Sequence, residues 1–136
     1  MSDFDKFKIK KYKHWTVYLH ENQCYLGWLV IWCDREDAED LVDATQDEYQ
    51  ELLVIIKDMR QILEKEFNPD WFNYNLLGNG FRHLHCHLIP RYASERIVNG
   101  EKFTDDRWGH NYKTNHDFKI SNETLVKIME KVLKHI

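Results

Sequence analysis

Apolar and polar positions change period several times along the chain, and each change marks an element. Trp15, Val17 and Leu19 alternate with Thr16, Tyr18 and His20, the two-residue period of a half-buried strand. Residues 25–33 are almost wholly apolar, and Glu21, Asn22, Gln23 and Cys24 precede them. The two runs predict a hairpin whose second strand is buried on both faces. Residues 34–40 are acidic and predict a loop. From Tyr49 onward the period lengthens: Tyr49, Leu52, Leu53, Ile56, Met59 and Leu63 recur at helical spacing. Thr45 and Glu48 match the capping-box pattern. The helix should end before Asn68-Pro69, because the residue preceding proline avoids the α region.

Residues 71–77 and 82–89 predict two further strands, joined by a turn at Gly78-Asn79-Gly80. Residues 92–119 are polar with scattered aromatics and predict a long loop, inside which Asn99-Gly100 closes a small hairpin between Ile97-Val98 and Lys102-Phe103. Ser121 is placed to cap a final helix, with Glu123 in its first turn. Leu125, Ile128, Met129, Val132 and Leu133 form its apolar stripe. No repeat or Gly/Ser linker divides residues 1–136, so one domain is expected.

Composition narrows the class. With 43% hydrophobic and 31% charged residues, the 136-residue chain is globular in character and can bury about two thirds of its unfolded surface. A net charge of −4 argues against a stable nucleic-acid partner held by phosphate neutralisation. Three cysteines, with no Cys-x-x-Cys, argue against a disulfide framework and point to reduced thiols in the cytoplasm. The N-terminal MSDFDKFKIKKYK lacks the apolar stretch of a signal peptide. The longest apolar run, residues 25–33, is about half of what a membrane helix needs.

The chemistry concentrates in His83-Leu84-His85-Cys86-His87-Leu88-Ile89. Alternate residues of a strand share a face, so the three imidazoles point one way and Leu84, Cys86 and Leu88 point into a core. Cys86 is then a buried, unreactive thiol. A merely solvated face is disfavoured, since such faces select β-branched and aromatic residues. Binding of nucleic acid through exposed aromatics is disfavoured by the net charge. A zinc site would need two of the three with His110 or His116, because the outer pair stand about 13 Å apart along a strand at roughly 3.3 Å per residue. Phosphoryl chemistry uses the whole row. A neutral imidazole is a nucleophile near pH 7, and its neighbours can donate hydrogen bonds or protonate a leaving group. The middle residue, His85, has an imidazole on each side. A nucleophilic imidazole needs one nitrogen free and the other held as N–H, for which a backbone carbonyl of the same strand region is the expected acceptor.

This motif, followed by Pro90-Arg91-Tyr92 and preceded by Asn75 and Gly78-Asn79-Gly80, resembles the signature of the histidine triad (HIT) superfamily of nucleotide hydrolases and transferases. The resemblance spans residues 12–92; residues 93–136, a loop and a helix, carry no motif of the family. It implies an α+β fold, an antiparallel sheet of about five strands with helices packed on it, and a homodimer. It implies His85 as the nucleophile at the α-phosphorus, His87 as the residue that contacts phosphate and helps the leaving group, and His83 as the residue that orients the row. Asn75, Asn79, Gly80, Asn22 and Arg91 become candidate substrate contacts. The implied reaction is hydrolysis of a nucleoside polyphosphate or dinucleotide such as diadenosine tetraphosphate. Alternatives are a phosphoramidate hydrolase, a nucleotidyltransferase, or a non-catalytic nucleotide- or zinc-binding protein. No cofactor is implied beyond magnesium accompanying the nucleotide. Many members carry histidine where this chain has Trp28, which is expected to be a core aromatic; retention of His87 favours hydrolysis over transfer to a sugar phosphate. Trp15, Trp32 and Trp71 are expected in the core, and His14, His20 and His135 in surface or structural roles. Arg91 and Arg96 suit phosphate or an ordinary surface, and Trp108 and Tyr112 either cover a nucleotide or pack on the domain.

Overall fold

A computed structural model describes residues 5–136. Residues 1–4, the start of the stretch weighed above as a signal peptide, lie outside the described residues. In chain order the strands and α-helices are β1 (Lys8–Lys11), β2 (Trp15–Leu19), β3 (Leu29–Cys33), α1 (Gln46–Phe67), β4 (Trp71–Asn75), β5 (His85–Arg91), β6 (Arg96–Val98), β7 (Glu101–Phe103) and α2 (Asn122–Leu133), with a 3-10 turn at Leu41–Asp43 before α1. The first five strands form one antiparallel sheet in the order β1-β2-β3-β5-β4, and β6 and β7 form a separate hairpin. Helices packed on an antiparallel sheet make this an α+β fold, as the histidine motif implied.

Register decides which residues share a face. Val17, Ile31 and Cys86 lie across from one another, and they join Leu52, Ile55, Met59 and Leu63 of α1 and Ile128 and Val132 of α2 in the main core. Each such aliphatic side chain contributes about 1.5–3 kcal/mol by leaving water. The adjacent rows, Tyr18–Val30–His87–Asn75 and Thr16–Trp32–His85, occupy the opposite face. A second, smaller cluster forms on that face: Cys24, Tyr25, Trp28 and Ile89, with Tyr112 and Phe118 packed over them. Tyr112 and Phe118 come from the long C-terminal segment, which therefore covers part of a face that the helices leave open.

The helix signals read from sequence are present. Thr45 Oγ1 accepts from the Glu48 N–H, while the Glu48 carboxylate accepts from the Thr45 N–H. Asn68 closes α1 in the left-handed region at φ 49°, immediately before Pro69. Asn99 and Gly100 take φ of 53° and 77° in the β6–β7 hairpin, a turn that suits these two residues. Ser121 caps α2. No described helix is long and apolar enough to cross a membrane.

Several expectations need correction. β3 begins only at Leu29, and Val30 and Trp32 are half-buried rather than enclosed, because their face lines a groove. Leu53 faces solvent and Ile55 and Ile62 take the buried stripe of α1. The connection between β4 and β5 is a longer loop, and His83 precedes β5 instead of lying in it. Trp71, expected in the core, is 64% exposed on β4 at the sheet edge. β1 was not anticipated, since Ile9 is its one fully buried residue.

Candidate active site

The uncovered part of the open face is a groove of about 350 Å³. His85 and His87 stand in it beside Trp32 and Phe81, with Tyr18 and His20 across from them. The walls are mostly aromatic and aliphatic, a surface suited to a flat heterocycle, and the polar lining consists of the imidazoles of His20, His85 and His87, the Tyr18 hydroxyl and the carboxylates of Asp5 and Glu21.

Each triad residue is held differently. His83 is buried, its Nε2 is 2.5 Å from the Cys33 carbonyl, and its ring stacks on Trp32 at 4.2 Å. His85 Nδ1 is 2.5 Å from the His83 carbonyl. A carbonyl only accepts, so His85 carries its hydrogen on Nδ1 and keeps the Nε2 lone pair free. The acceptor expected from the sequence is thus the backbone of the first histidine. His87 lies 5.1 Å from His85 between ring centres, and its Nδ1 accepts from the Trp28 indole N–H at 3.0 Å. Burial first, then the neighbouring His85 and His20, hold the pKa of His87 down to about 4. Cys86, on the other face, has its thiol pushed up to about 12 by burial.

Two residues of the site were not anticipated. His20, expected in a surface or structural role, stacks on Trp28 at 4.0 Å and lies 5.9 Å from His87. Its Nδ1 accepts from the Asn22 N–H, and burial lowers its pKa to about 4. The signal was available: His20 continues the Thr16–Tyr18 face, one step beyond the strand. Trp28 is buried, as expected of a core aromatic, yet its N–H ends on a triad histidine. It follows Gly27, which takes φ +84°; a Cβ there would stand 2.9 Å from Leu63 Cδ2 and 3.2 Å from Phe67 Cδ2. Only glycine tolerates both that backbone and that approach.

The remaining candidates separate into two groups. Asn75 pairs with His87 in register, and its amide is hydrogen-bonded to the Tyr112 hydroxyl. Asn79 and Gly80 lie exposed in the loop that carries Phe81 into the groove. None of these three lines the groove itself, and neither do Arg91 and Asn22. Arg91 is 3% exposed, and its five donors go to both Asp105 oxygens, Asn73 Oδ1 and the carbonyls of Arg107 and His110. Asn22 donates to the Asn115 carbonyl and accepts from the Cys24 N–H. Both are spent on anchoring the C-terminal segment, so the substrate contacts expected of them are not supported. Arg96 likewise donates to the carbonyls of Phe67 and Asn68. Among the described residues, no three His, Cys, Asp or Glu side chains are grouped to hold a metal ion.

Comparison with known proteins agrees with this geometry. A family model described as HIT domain matches residues 3–94. A search of curated proteins returns no match. Among solved structures, a histidine triad protein from Bradyrhizobium japonicum superposes with a TM-score of 0.71 at 19% identity, covering 100% of this chain and 96% of that one. A histidine triad protein from Sinorhizobium meliloti gives 0.70 at 17% identity, covering 100% and 95%. A hypothetical histidine triad nucleotide-binding protein from Sulfolobus tokodaii gives 0.69 at 14% identity, covering 95% and 82%.

Proposed function

The chain belongs to the HIT domain family, and on that premise we propose that it is a nucleotide hydrolase acting at the α-phosphorus of a nucleoside polyphosphate or dinucleotide, diadenosine tetraphosphate being the first candidate. The observation that supports this best is the state of His85. One ring nitrogen is tied to the His83 carbonyl, and the other is free beside an apolar groove of nucleoside size. In the proposed reaction the base and ribose lie against Trp32 and Phe81, and the α-phosphate lies over His85. Nε2 attacks phosphorus, the leaving phosphate departs, and water then hydrolyses the nucleotidyl-histidine. His87 contacts the phosphate and the departing oxygen, and His83 holds His85 in its tautomer. Asn75, Asn79 and Gly80 are proposed contacts at the rim. Magnesium arrives with the polyphosphate and has no site of its own in this scheme.

A homodimer in the cytoplasm completes the proposal. β4 is an edge strand that exposes Trp71 and Tyr74, with Leu77 exposed just beyond it, and an open apolar edge invites pairing with a second copy. Cys24, Cys33 and Cys86 are free and buried, as suits a reducing compartment. Light scattering should give about twice 16.6 kDa. Denaturation under mild alkali after incubation with labelled substrate should leave an acid-labile adduct on His85. An adduct on any other residue, or tight nucleotide binding without turnover, would replace this proposal with another mechanism or with a binding protein.

A further inference from the structure

His85 and His87 look alike in sequence but meet opposite partners. His85 Nδ1 faces an acceptor, whereas His87 Nδ1 faces a donor, the Trp28 N–H at 3.0 Å. An indole N–H can only donate, so the neutral His87 ring carries its hydrogen on Nε2, and a second proton on Nδ1 would have to displace Trp28. Trp28 is braced on both sides. His20 stacks on its face with an interplanar angle of 17°, and Tyr25 and Tyr112 meet it edge-on at 6.0 and 5.8 Å. The titratable groups around His87 are His85 on its own strand and His20 beyond β2. Asp5, Tyr18 and Glu21 also line the groove, and Tyr112 reaches Trp28 from the C-terminal segment. Among the described residues no carboxylate is hydrogen-bonded to His87 that would favour an imidazolium.

We propose that Trp28 sets the leaving-group selectivity of the site: it fixes His87 as a neutral Nε2–H donor, which serves leaving groups that depart as anions, phosphates and polyphosphates, and not amines. The inference rests on the hydrolase proposal above. A neutral imidazole that gave up its proton would become an imidazolate, so His87 stabilises developing negative charge by a hydrogen bond instead of transferring a proton. The balance is complete for an anhydride. The His85 Nε2 lone pair forms the P–N bond while the P–O bond breaks, and the electron pair leaves on the bridging oxygen under the His87 N–H. Water then forms the new P–O bond, the P–N electrons return to His85, and the water proton passes to solvent. Cleavage of a phosphoramidate would place an electron pair on an amine nitrogen. That nitrogen needs a proton that His87 in this state does not supply. Trp28 is a positioning residue here, acting through His87.

The test uses the full chain. Long-range 1H–15N spectra of the uniformly labelled protein should show His87 as the Nε2–H tautomer at pH 7, with a scalar coupling across the hydrogen bond to the Trp28 indole nitrogen. Diadenosine tetraphosphate should be preferred over adenosine 5′-phosphoramidate by about 100-fold or more in kcat/KM, the lower range of what a general acid contributes. W28F removes the donor and keeps a ring. It should lower kcat for the anhydride by roughly tenfold with little change in KM, the scale of losing a partner that orients an imidazole. The preference between the two probes should narrow by a similar factor. If W28F does not fold, the wild-type spectrum and the wild-type preference decide. A wild-type His87 that is Nδ1–H or doubly protonated at pH 7, or equal rates on the two probes, overturns the inference while leaving the hydrolase proposal standing. Cleavage of neither probe overturns both.

Discussion

The two ends of β5 carry polar side chains on the same face by strand parity, yet they do opposite things. At the start, His85 and His87 each have one nitrogen tied and one directed into the groove. At the end, Arg91 has every donor engaged, and its ion pair with Asp105 is buried, the two side chains being 4% and 1% exposed. A charged or polar group inside a fold is stable only when its hydrogen-bonding capacity is met. Reactivity needs capacity left over. Saturation therefore separates the structural end of the strand from the chemical end, and the boundary is Ile89, where the C-terminal segment closes over the sheet.

That contrast can be broken at four points, taken from the largest effect to the smallest. His85→Ala should lower turnover by roughly 10⁴-fold or more, as loss of a covalent nucleophile does, with the thermal midpoint little changed. An unaltered rate would mean that the leftover nitrogen is not the reacting one. Asp105→Ala should act on the other end, leaving the Arg91 guanidinium buried and unpaired at a cost of about 3–5 kcal/mol in urea unfolding. A loss under about 1 kcal/mol would show that the Arg91–Asp105 pair contributes no more than a surface ion pair does. His87→Ala should cost roughly 10²–10³-fold in kcat, the scale of one preorganised donor, with stability changed little. The smallest effect concerns pH. His20 and His87 have folded pKa values near 4, below the ordinary value of about 6.5, so the unfolded chain binds protons that the folded one refuses. Stability from these two residues is complete above about pH 6.5, falls as pH drops toward 4 and then levels. Urea midpoints at pH 7 and pH 5 measure the drop, and His87→Ala should reduce it. A midpoint that rises toward pH 5 would contradict the burial of neutral rings.

Most of the sheet and both helices were legible because binary pattern and caps act locally. Cys86 and Leu88 on one side of β5 and His85 and His87 on the other are the same statement in sequence and in space, whereas His83 falls before the strand and is buried. Parity alone misled further along, since it places Arg91 on the reactive face without revealing that Tyr112, Phe118 and Asp105 return over it from more than a dozen residues away. Trp28 shows the same gap: hydropathy foretells that an indole is buried, and says nothing about where its single N–H ends. Trp71 failed in reverse, because nothing local distinguishes a central strand from an edge.

Gly27 has a consequence on the far side of the sheet. Its missing Cβ lets the loop rest against Leu63 and Phe67 of α1, and the next residue is the indole that meets His87. The height of that indole above the reacting face thus depends on side-chain volume in a helix that does not line the groove. For an engineer this is a remote adjusting screw. Trimming or enlarging Leu63 should retune His87 while every contact in the groove keeps its chemical identity.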